Sequence, residues 1–450
     1  MELRAGKNKI DKDVFEELCS AIGRECIFDS IEERERYSFD AANLKSMPDL
    51  VIMPRSTEQV SGILSIANKH NIPNCTRGVV LPGGAVPIRG GIVLDLKNMN
   101  RIEELNARDL TITVEPGVVM KDLQDEVVRS RLFYPPESGS EILSTIGERV
   151  AECTGGMTGM KYGVTRDYVL ALEIVLPDGS VINAGRKTLK SVAGYDLTRF
   201  FVGSEGTLGV FTKITLKLLP MPEKTGTVMS CFKDIEGALD ATDTILSKNH
   251  LNPRALEFAD KTCIDAVREA DNGKIPEEAE ALLLIDVDGN EKNVTNDISR
   301  IDAICRENSA LNILITHADE ERNRLWDIRN SIFPSPSKIA SVKYDEDVTV
   351  QRSKVRDVLK RIYELSNTYS LEMSVSGKIG EGHIHLNVTG NSADADDVSV
   401  HSLVSQILNS VESNGGTNIS GLAPHESEIM KDLKRMFDPK GIMNPGKIII

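Results

Sequence analysis

The stretch from Gly380 to Val388, GEGHIHLNV, alternates polar and apolar residues with the two-residue period of a strand. Such a strand sets His383, His385 and Asn387 on one face and turns Ile384, Leu386 and Val388 towards a core. Two imidazoles at successive same-face positions can hold a metal or exchange protons near neutral pH. The plainer alternative is a pair of partly exposed histidines on a half-buried strand. Glycine gives the second chemical signal. One cluster is Arg77-Gly78 with Gly83-Gly84 soon after; another spans Gly147 to Gly163; a third is Gly203-Ser204-Glu205-Gly206-Thr207-Leu208-Gly209. Grouped amides at glycines can cradle a diphosphate, although glycines also make tight strand connections. No GxGxxG follows an early strand and opens a helix, so a Rossmann dinucleotide site is not expected.

These groups need elements to position them. Leu50 to Met53 reads as a short strand, and Ser56 with Gln59 forms a capping box for a helix carrying Val60, Ile63, Leu64 and Ala67. GIVLDL and LTITVEPG read as strands, VMKDLQDEVVRS as a helix, and VLALEIVLPDGSVINAG as two strands across a Pro177-Asp178-Gly179 turn. After Pro222 strands and helices alternate through TVMSCF, RALEFA and EALLLIDVD, which suggests an open sheet with helices on one face. LVSQILNSVESNGG reads as a late helix, and there is no internal repeat.

At 450 residues the chain exceeds what one core usually organises, and its 40% hydrophobic content can fill two. A formal net charge of -15 argues against a nucleic-acid partner but not against a local basic pocket for a small anion. Seven scattered cysteines without a CxxC pair suggest reduced thiols in the cytoplasm. MELRAGKNKIDKD has no apolar core of signal-peptide length, and no later segment reaches the ~18 apolar residues of a membrane span. A cytoplasmic protein is expected, with peripheral membrane attachment and homo-oligomerisation left open.

Residues from about Pro48 to Pro220 resemble the FAD-binding domain of the p-cresol methylhydroxylase/vanillyl-alcohol oxidase superfamily. The likeness runs in order through PDLVIMPRSTEQV, NIPNCTRG, GGAVPIRGGIVLDLKNMNRI, YPPESGS, STIG, KYGVTRDYVLALEIVLPDG and YDLTRFFVGSEGTLGVFTKITLKLLP. Further on, RALEF, LWDIRNSIF, VKYDEDVTV, GKIGEGHIHLNV and FDPKGIMNPGKI resemble its glycolate oxidase/D-lactate dehydrogenase branch. The resemblance implies an α+β fold. A lead-in helix in 1–44 precedes a two-lobed FAD-binding domain over 45–222. A substrate or cap domain with a helix-covered open sheet occupies 223–410, and 411–450 returns to the FAD domain.

The same resemblance implies that FAD meets Arg77, Gly78, Gly83, Gly84, Thr145, Gly147, Gly155, Tyr162, Gly163, Gly209, Val210 and Asn444. Between Gly78 and Gly83 this chain has only Val79-Val80-Leu81-Pro82, shorter than the family's AGTGLS-like loop, and Gly147-Glu148-Arg149 replaces Gly-Gly-Asn. That loop offers no histidine for covalent attachment, so FAD is expected to bind non-covalently. Arg329 and Lys343 match positions that fix a substrate carboxylate, a task suited to a guanidinium fork and an ammonium.

Metal-dependent relatives read HxGDGNxH and a later SGEHG. Here Lys378, Glu381 and His383 replace the first histidine, the aspartate and the asparagine; only His385 keeps its type, and the later segment is Ile419-Ser420-Gly421-Leu422-Ala423-Pro424-His425. No tightly bound zinc is expected. His385 is the first choice for the catalytic base and His383 the second, with Lys378 supplying positive charge to a developing alkoxide. The reading is FAD-dependent oxidation of a small 2-hydroxy acid such as D-lactate or glycolate, with electrons passing to a partner protein or quinone rather than NAD. The alternative is a non-catalytic or flavin-binding subunit of a multi-subunit glycolate-oxidase-type complex. A related alkyl-transfer activity has no specific support in these residues.

Overall fold

The computed structural model describes residues 10–39, 44–77, 86–136, 144–248, 251–268, 273–332, 342–389, 397–418 and 424–447. The chain divides into two compact units. Unit 1 comprises Met1–Gly156, Gly163–Met221 and Leu422–Ile450; unit 2 comprises Met157–Tyr162 and Pro222–Gly421.

Unit 1 opens with α1 (Lys12–Ile22), capped by the Asp11 side chain, and the short strand β1 (Ile27–Phe28). Next come β2 (Leu50–Ile52), α2 (Thr57–His70), β3 (Asn74–Arg77) and β4 (Ile92–Asp95). The Ser56 hydroxyl accepts from the Gln59 amide as the sequence suggests, but the Gln59 side chain accepts from the Arg55 amide at 2.7 Å instead of closing the box on Ser56. Asn71, left-handed at φ 54, ends the helix. The strands order as β1-β2-β4-β3, with β4 parallel to both β2 and β3. Val60, Ile63 and Leu64 of α2 pack with Leu18 of α1 and Ile92 and Leu94 of β4. Each such buried side chain contributes roughly 1.5–3 kcal/mol.

A second sheet in unit 1 uses β5 (Ile102–Asn106), β6 (Thr111–Val114), β7 (Val169–Val175), β8 (Val181–Gly185) and β9 (Val210–Lys217). Its order is β5-β6-β9-β7-β8, antiparallel throughout. The β7–β8 hairpin turns at Pro177-Asp178-Gly179 as expected, with Gly179 at φ +88 and Asp178 accepting from the Ser180 amide. Two helices matter here: α3 (Met120–Arg129) and α4 (Ile146–Glu152).

Unit 2 is built on one antiparallel sheet. Its elements are β10 (Lys224–Phe232), α5 (Ile235–Asp243), β11 (Ala255–Asp260), α6 (Lys261–Val267), β12 (Ala281–Gly289), α7 (Glu291–Glu307), β13 (Ala310–Thr316) and α8 (Asp319–Ile332). They continue as β14 (Val342–Thr349), α9 (Val355–Tyr369), β15 (Glu372–Gly377), β16 (His383–Thr389), α10 (Asp397–Ser413) and β17 (Thr417–Asn418). The strand order is β13-β10-β12-β11-β15-β16-β14-β17.

Helices cover both faces of this sheet, not one. Helices α5, α7, α9 and α10 pack on Leu283, Ile285, Leu386 and Val388, whereas α6 and α8 pack on Met229, Cys231, Leu282 and Leu284. The unbroken apolar run Ala281-Leu282-Leu283-Leu284-Ile285 of β12 explains the difference: consecutive residues point to opposite faces, so both faces demand cover. From Leu422 the chain rejoins unit 1 through α11 (Pro424–Phe437). None of the seven cysteines is in a disulfide. No helix among the described residues is long and apolar enough to cross a membrane.

Candidate functional site

Unit 1 holds a cleft whose free space, part of it open to solvent, is about 740 Å³. It brings together Arg77 from β3, Thr145 and Gly147 at the start of α4, Gly209 and Val210 at the start of β9, and Asn444 from the C-terminal segment. Leu96, Pro116 and Phe211 add an apolar wall, and Glu148, Glu152, Glu205 and Lys447 add charge.

Two residues that line this cleft carry buried donors without partners among the described residues, Thr76 through Oγ1 and Arg77 through Nη1. The Arg77 guanidinium is otherwise held, donating from Nη2 to the Phe39 carbonyl at 3.3 Å and lying 5.1 Å over the Tyr37 ring. Burial pulls it below its ordinary value, against the opposing pull of Cys75, Tyr37 and Asp95. Such buried donors are costly unless a ligand oxygen satisfies them. Burial also pushes the Glu205 carboxyl up, with Lys447 opposing.

The start of α4 is closed by its own residues. Thr145 Oγ1 accepts from the Glu148 amide at 3.3 Å, and Glu148 Oε2 accepts from the Thr145 amide at 3.5 Å. Thus Glu148 completes a capping box and places a carboxylate at the favourable end of the helix dipole. The glycines here also have a reason other than ligand approach. A Cβ at Gly147 would lie 2.6 Å from Pro116 Cβ, and one at Gly209 2.8 Å from the Val175 carbonyl oxygen. Protein packing itself demands glycine at both.

The remaining flavin candidates separate. Gly155 and Gly163 are in unit 1 but do not line the cavity. Tyr162 belongs to unit 2, where its hydroxyl bonds both Asp288 carboxylate oxygens at 3.0 and 3.1 Å and Lys161 joins them at 2.5 Å. Gly78, Gly83 and Gly84 lie outside the described residues, as do residues 419–423 of the SGEHG-like segment. His425 is exposed in the first turn of α11.

In unit 2, β16 pairs with β14 so that His385 faces Asp347 across the ladder. Asp347 Oδ1 is shared by two imidazoles, His383 Nε2 at 2.7 Å and His385 Nδ1 at 3.0 Å. Burial pushes the Asp347 carboxyl up, but bonds and charge from the two histidines outweigh it and hold the group well below the usual carboxylate range. The Asn387 amide lies 3.1 Å from His385 Nε2, and Asp345 Oδ1 lies 3.6 Å from it. His385 is only 3% exposed, while the His383 side chain is 21% exposed. The predicted strand face is therefore present, with Ile384, Leu386 and Val388 in the core behind it. Lys378 precedes the 3-10 turn Ile379–Glu381, and burial raises the Glu381 carboxyl, with Lys378 opposing and Glu257 adding to the rise. Among the described residues no group of three or more His, Cys, Asp and Glu side chains could hold a metal ion.

Arg329 on α8 donates to Glu257 of β11 at 3.0 Å, beside a small crevice that they share with Phe258, Ile332 and Ser376. Glu257 Oε1 is buried without a partner among the described residues. The backbone of Lys343 lies in β14; its side chain is outside the described residues. Sequence reading missed Asp347 and Glu257, and met Glu381 only as the replacement of a motif aspartate. The period-two spacing of Asp345 and Asp347, and a lone carboxylate in RALEFA, were the available signals.

A family model described as an FAD binding domain matches residues 48–185, and one described as the C-terminal domain of FAD linked oxidases matches 221–421 and 422–448. The chain belongs to the FAD-linked oxidases. It is an oxidoreductase of that family, and FAD is its cofactor. The glycolate oxidase subunit GlcD of Bacillus subtilis is 38% identical, over 98% of this chain and 97% of that protein. A D-lactate dehydrogenase of Anaerostipes hadrus is 30% identical over 98% of each, and one of Archaeoglobus fulgidus is 32% identical over 89% and 91%. Among solved structures, p-cresol methylhydroxylase with bound substrate superposes with a TM-score of 0.73 at 16% identity, over 99% of this chain and 98% of that one. An alkyldihydroxyacetonephosphate synthase gives 0.74 at 18% identity, over 97% and 86%. At these identities the likeness concerns the fold.

The cavity fits FAD in kind. Thr76 and Arg77 supply donors that lack partners among the described residues and suit an anionic group, Leu96, Pro116, Val210 and Phe211 an apolar wall, and the carboxylates can accept from hydroxyl and amine groups.

Proposed function

We propose that this protein holds FAD non-covalently in the unit 1 cavity and oxidises a small 2-hydroxy acid, D-lactate or glycolate being the leading candidates. The observation that carries this reading is near full-length similarity, in both directions, to a glycolate oxidase subunit and to D-lactate dehydrogenases. Arg77, Thr76 and Asn444 would hold the cofactor. Bound FAD supplies a two-electron acceptor for the hydride leaving the substrate's α-carbon. Arg329 and Lys343 would bind the substrate carboxylate, and a histidine of β16, His383 or His385, would take the hydroxyl proton while Lys378 steadies the oxygen. Electrons would then pass to a partner protein or a quinone rather than NAD.

A second reading, a flavin-binding subunit without turnover of its own, draws on the replaced metal and base motifs and on relatives named as subunits. Anaerobic mixing with a panel of 2-hydroxy acids separates the two. Bleaching of the flavin absorbance supports the enzyme, and an unchanged spectrum with every acid supports the subunit. Release of all flavin on denaturation in acid would be expected for non-covalent FAD.

A further inference from the structure

The two histidines of β16 are not equivalent, and Asp347 makes them different. A carboxylate held ionised can only accept hydrogen bonds, so each ring nitrogen that meets Asp347 Oδ1 must carry the hydrogen. This fixes His383 as the Nε2–H tautomer and His385 as the Nδ1–H tautomer. The remaining nitrogens then have opposite fates. His385 Nε2 accepts from the Asn387 amide at 3.1 Å, in a ring that is 3% exposed. His383 Nδ1 has no partner among the described residues, and its side chain is 21% exposed.

We infer that His383, oriented by Asp347, is the proton acceptor of the reaction, and that His385 serves as a positioning residue that helps fix the shared carboxylate. This inference rests on the oxidase reading above and names the acting group within it. The substrate O–H bond breaks and its proton goes to His383 Nδ1. The electron pair left on oxygen forms the carbonyl of the 2-keto acid as the α-hydrogen leaves with its own pair, the flavin being the two-electron acceptor. A carboxylate behind an imidazole holds the tautomer and stabilises the imidazolium that forms. The charged groups around His383 are Asp347 from β14 and Glu381 from the preceding turn, with Lys378 and Glu257 acting on Glu381 in their turn.

Two measurements test the assignment. Ring-nitrogen NMR of the flavin-free protein under mildly alkaline conditions should show His383 bare at Nδ1 and His385 bare at Nε2, with the His383 preference lost in Asp347→Asn. In the holoenzyme, His383→Gln should slow anaerobic flavin bleaching about 10²- to 10⁴-fold, with flavin content and binding of a 2-keto acid product unchanged. Asp347→Asn should slow it at least about tenfold and displace the midpoint of its pH profile. Bleaching at the wild-type rate in His383→Gln, or a His383 ring protonated at Nδ1 and bare at Nε2, overturns the inference. If no 2-hydroxy acid bleaches the wild-type flavin, the oxidase reading falls and takes the proton-acceptor role with it. The tautomer pattern would still decide whether Asp347 orients the rings.

Discussion

Asn444 and Glu205, both non-glycine residues in left-handed backbone at φ 40 and 47, are joined by a hydrogen bond from Asn444 Nδ2 to the Glu205 carbonyl at 2.6 Å. The Asn444 main-chain amide donates in turn to the Asn74 carbonyl at 2.7 Å. One residue therefore stitches the C-terminal segment both to β3 and to the loop before β9. Asparagine suits the place because its short amide tolerates this conformation.

Replacing Asn444 separates the two contributions. Asn444→Ala loses the amide bond and strains the backbone, costing about 2 kcal/mol, whereas Asn444→Gly loses only the bond, about 1 kcal/mol. Denaturant unfolding of the flavin-free protein checks the difference, and equal losses would contradict it.

Arg77→Ala removes a buried donor that the fold leaves unmatched among the described residues. FAD affinity should fall about ten- to a hundredfold, as expected for a hydrogen bond to a charged group. Titration of flavin-free protein with FAD, followed by flavin fluorescence, reads the change directly.

Arg329→Ala has a hidden cost. The Glu257 side chain is 4% exposed and would be left buried without its cation, which destabilises by roughly 3 kcal/mol, the low end for a pair whose other partner is partly exposed. The double variant Arg329→Ala/Glu257→Gln should recover that stability while kcat/KM for the true substrate stays depressed. Recovery of both by the double variant would remove Arg329 from substrate binding.

Asp260 should give the protein a pH signature. Its carboxyl, which accepts from the Cys263 and Val375 amides, is pushed by burial up to about 6 from 3.8. Because the folded value lies above the unfolded one, this group favours the fold below pH 3.8 and loses that contribution as pH rises through about 6. The decline is on the order of 3 kcal/mol. Asp260→Asn, neutral throughout, should lack it, and thermal midpoints across that window compare the two.

The sequence reveals some of this architecture and hides the rest for physical reasons. The face shared by His383, His385 and Asn387 follows from a local period of two, and the β7–β8 hairpin follows from its turn residues. The spacing of Asp345 and Asp347 placed them on one strand face, but the partners of Asp347 depend on β14 pairing with β16 in one register, a non-local fact. The Arg329–Glu257 pair likewise joins α8 to β11, which are distant in the chain. At Gly147 and Gly209 the residue type signalled correctly that something comes close, but the neighbour is the protein itself.

The return of the chain to unit 1 has a consequence for biosynthesis. Asn74 and Glu205 emerge from the ribosome long before Asn444, with residues 222–421 made in between. The nascent protein must therefore carry the unit 1 cleft without Asn444 and Lys447 while residues 222–421 are made, and a chain released before them lacks the bond that ties the C-terminal segment to Glu205.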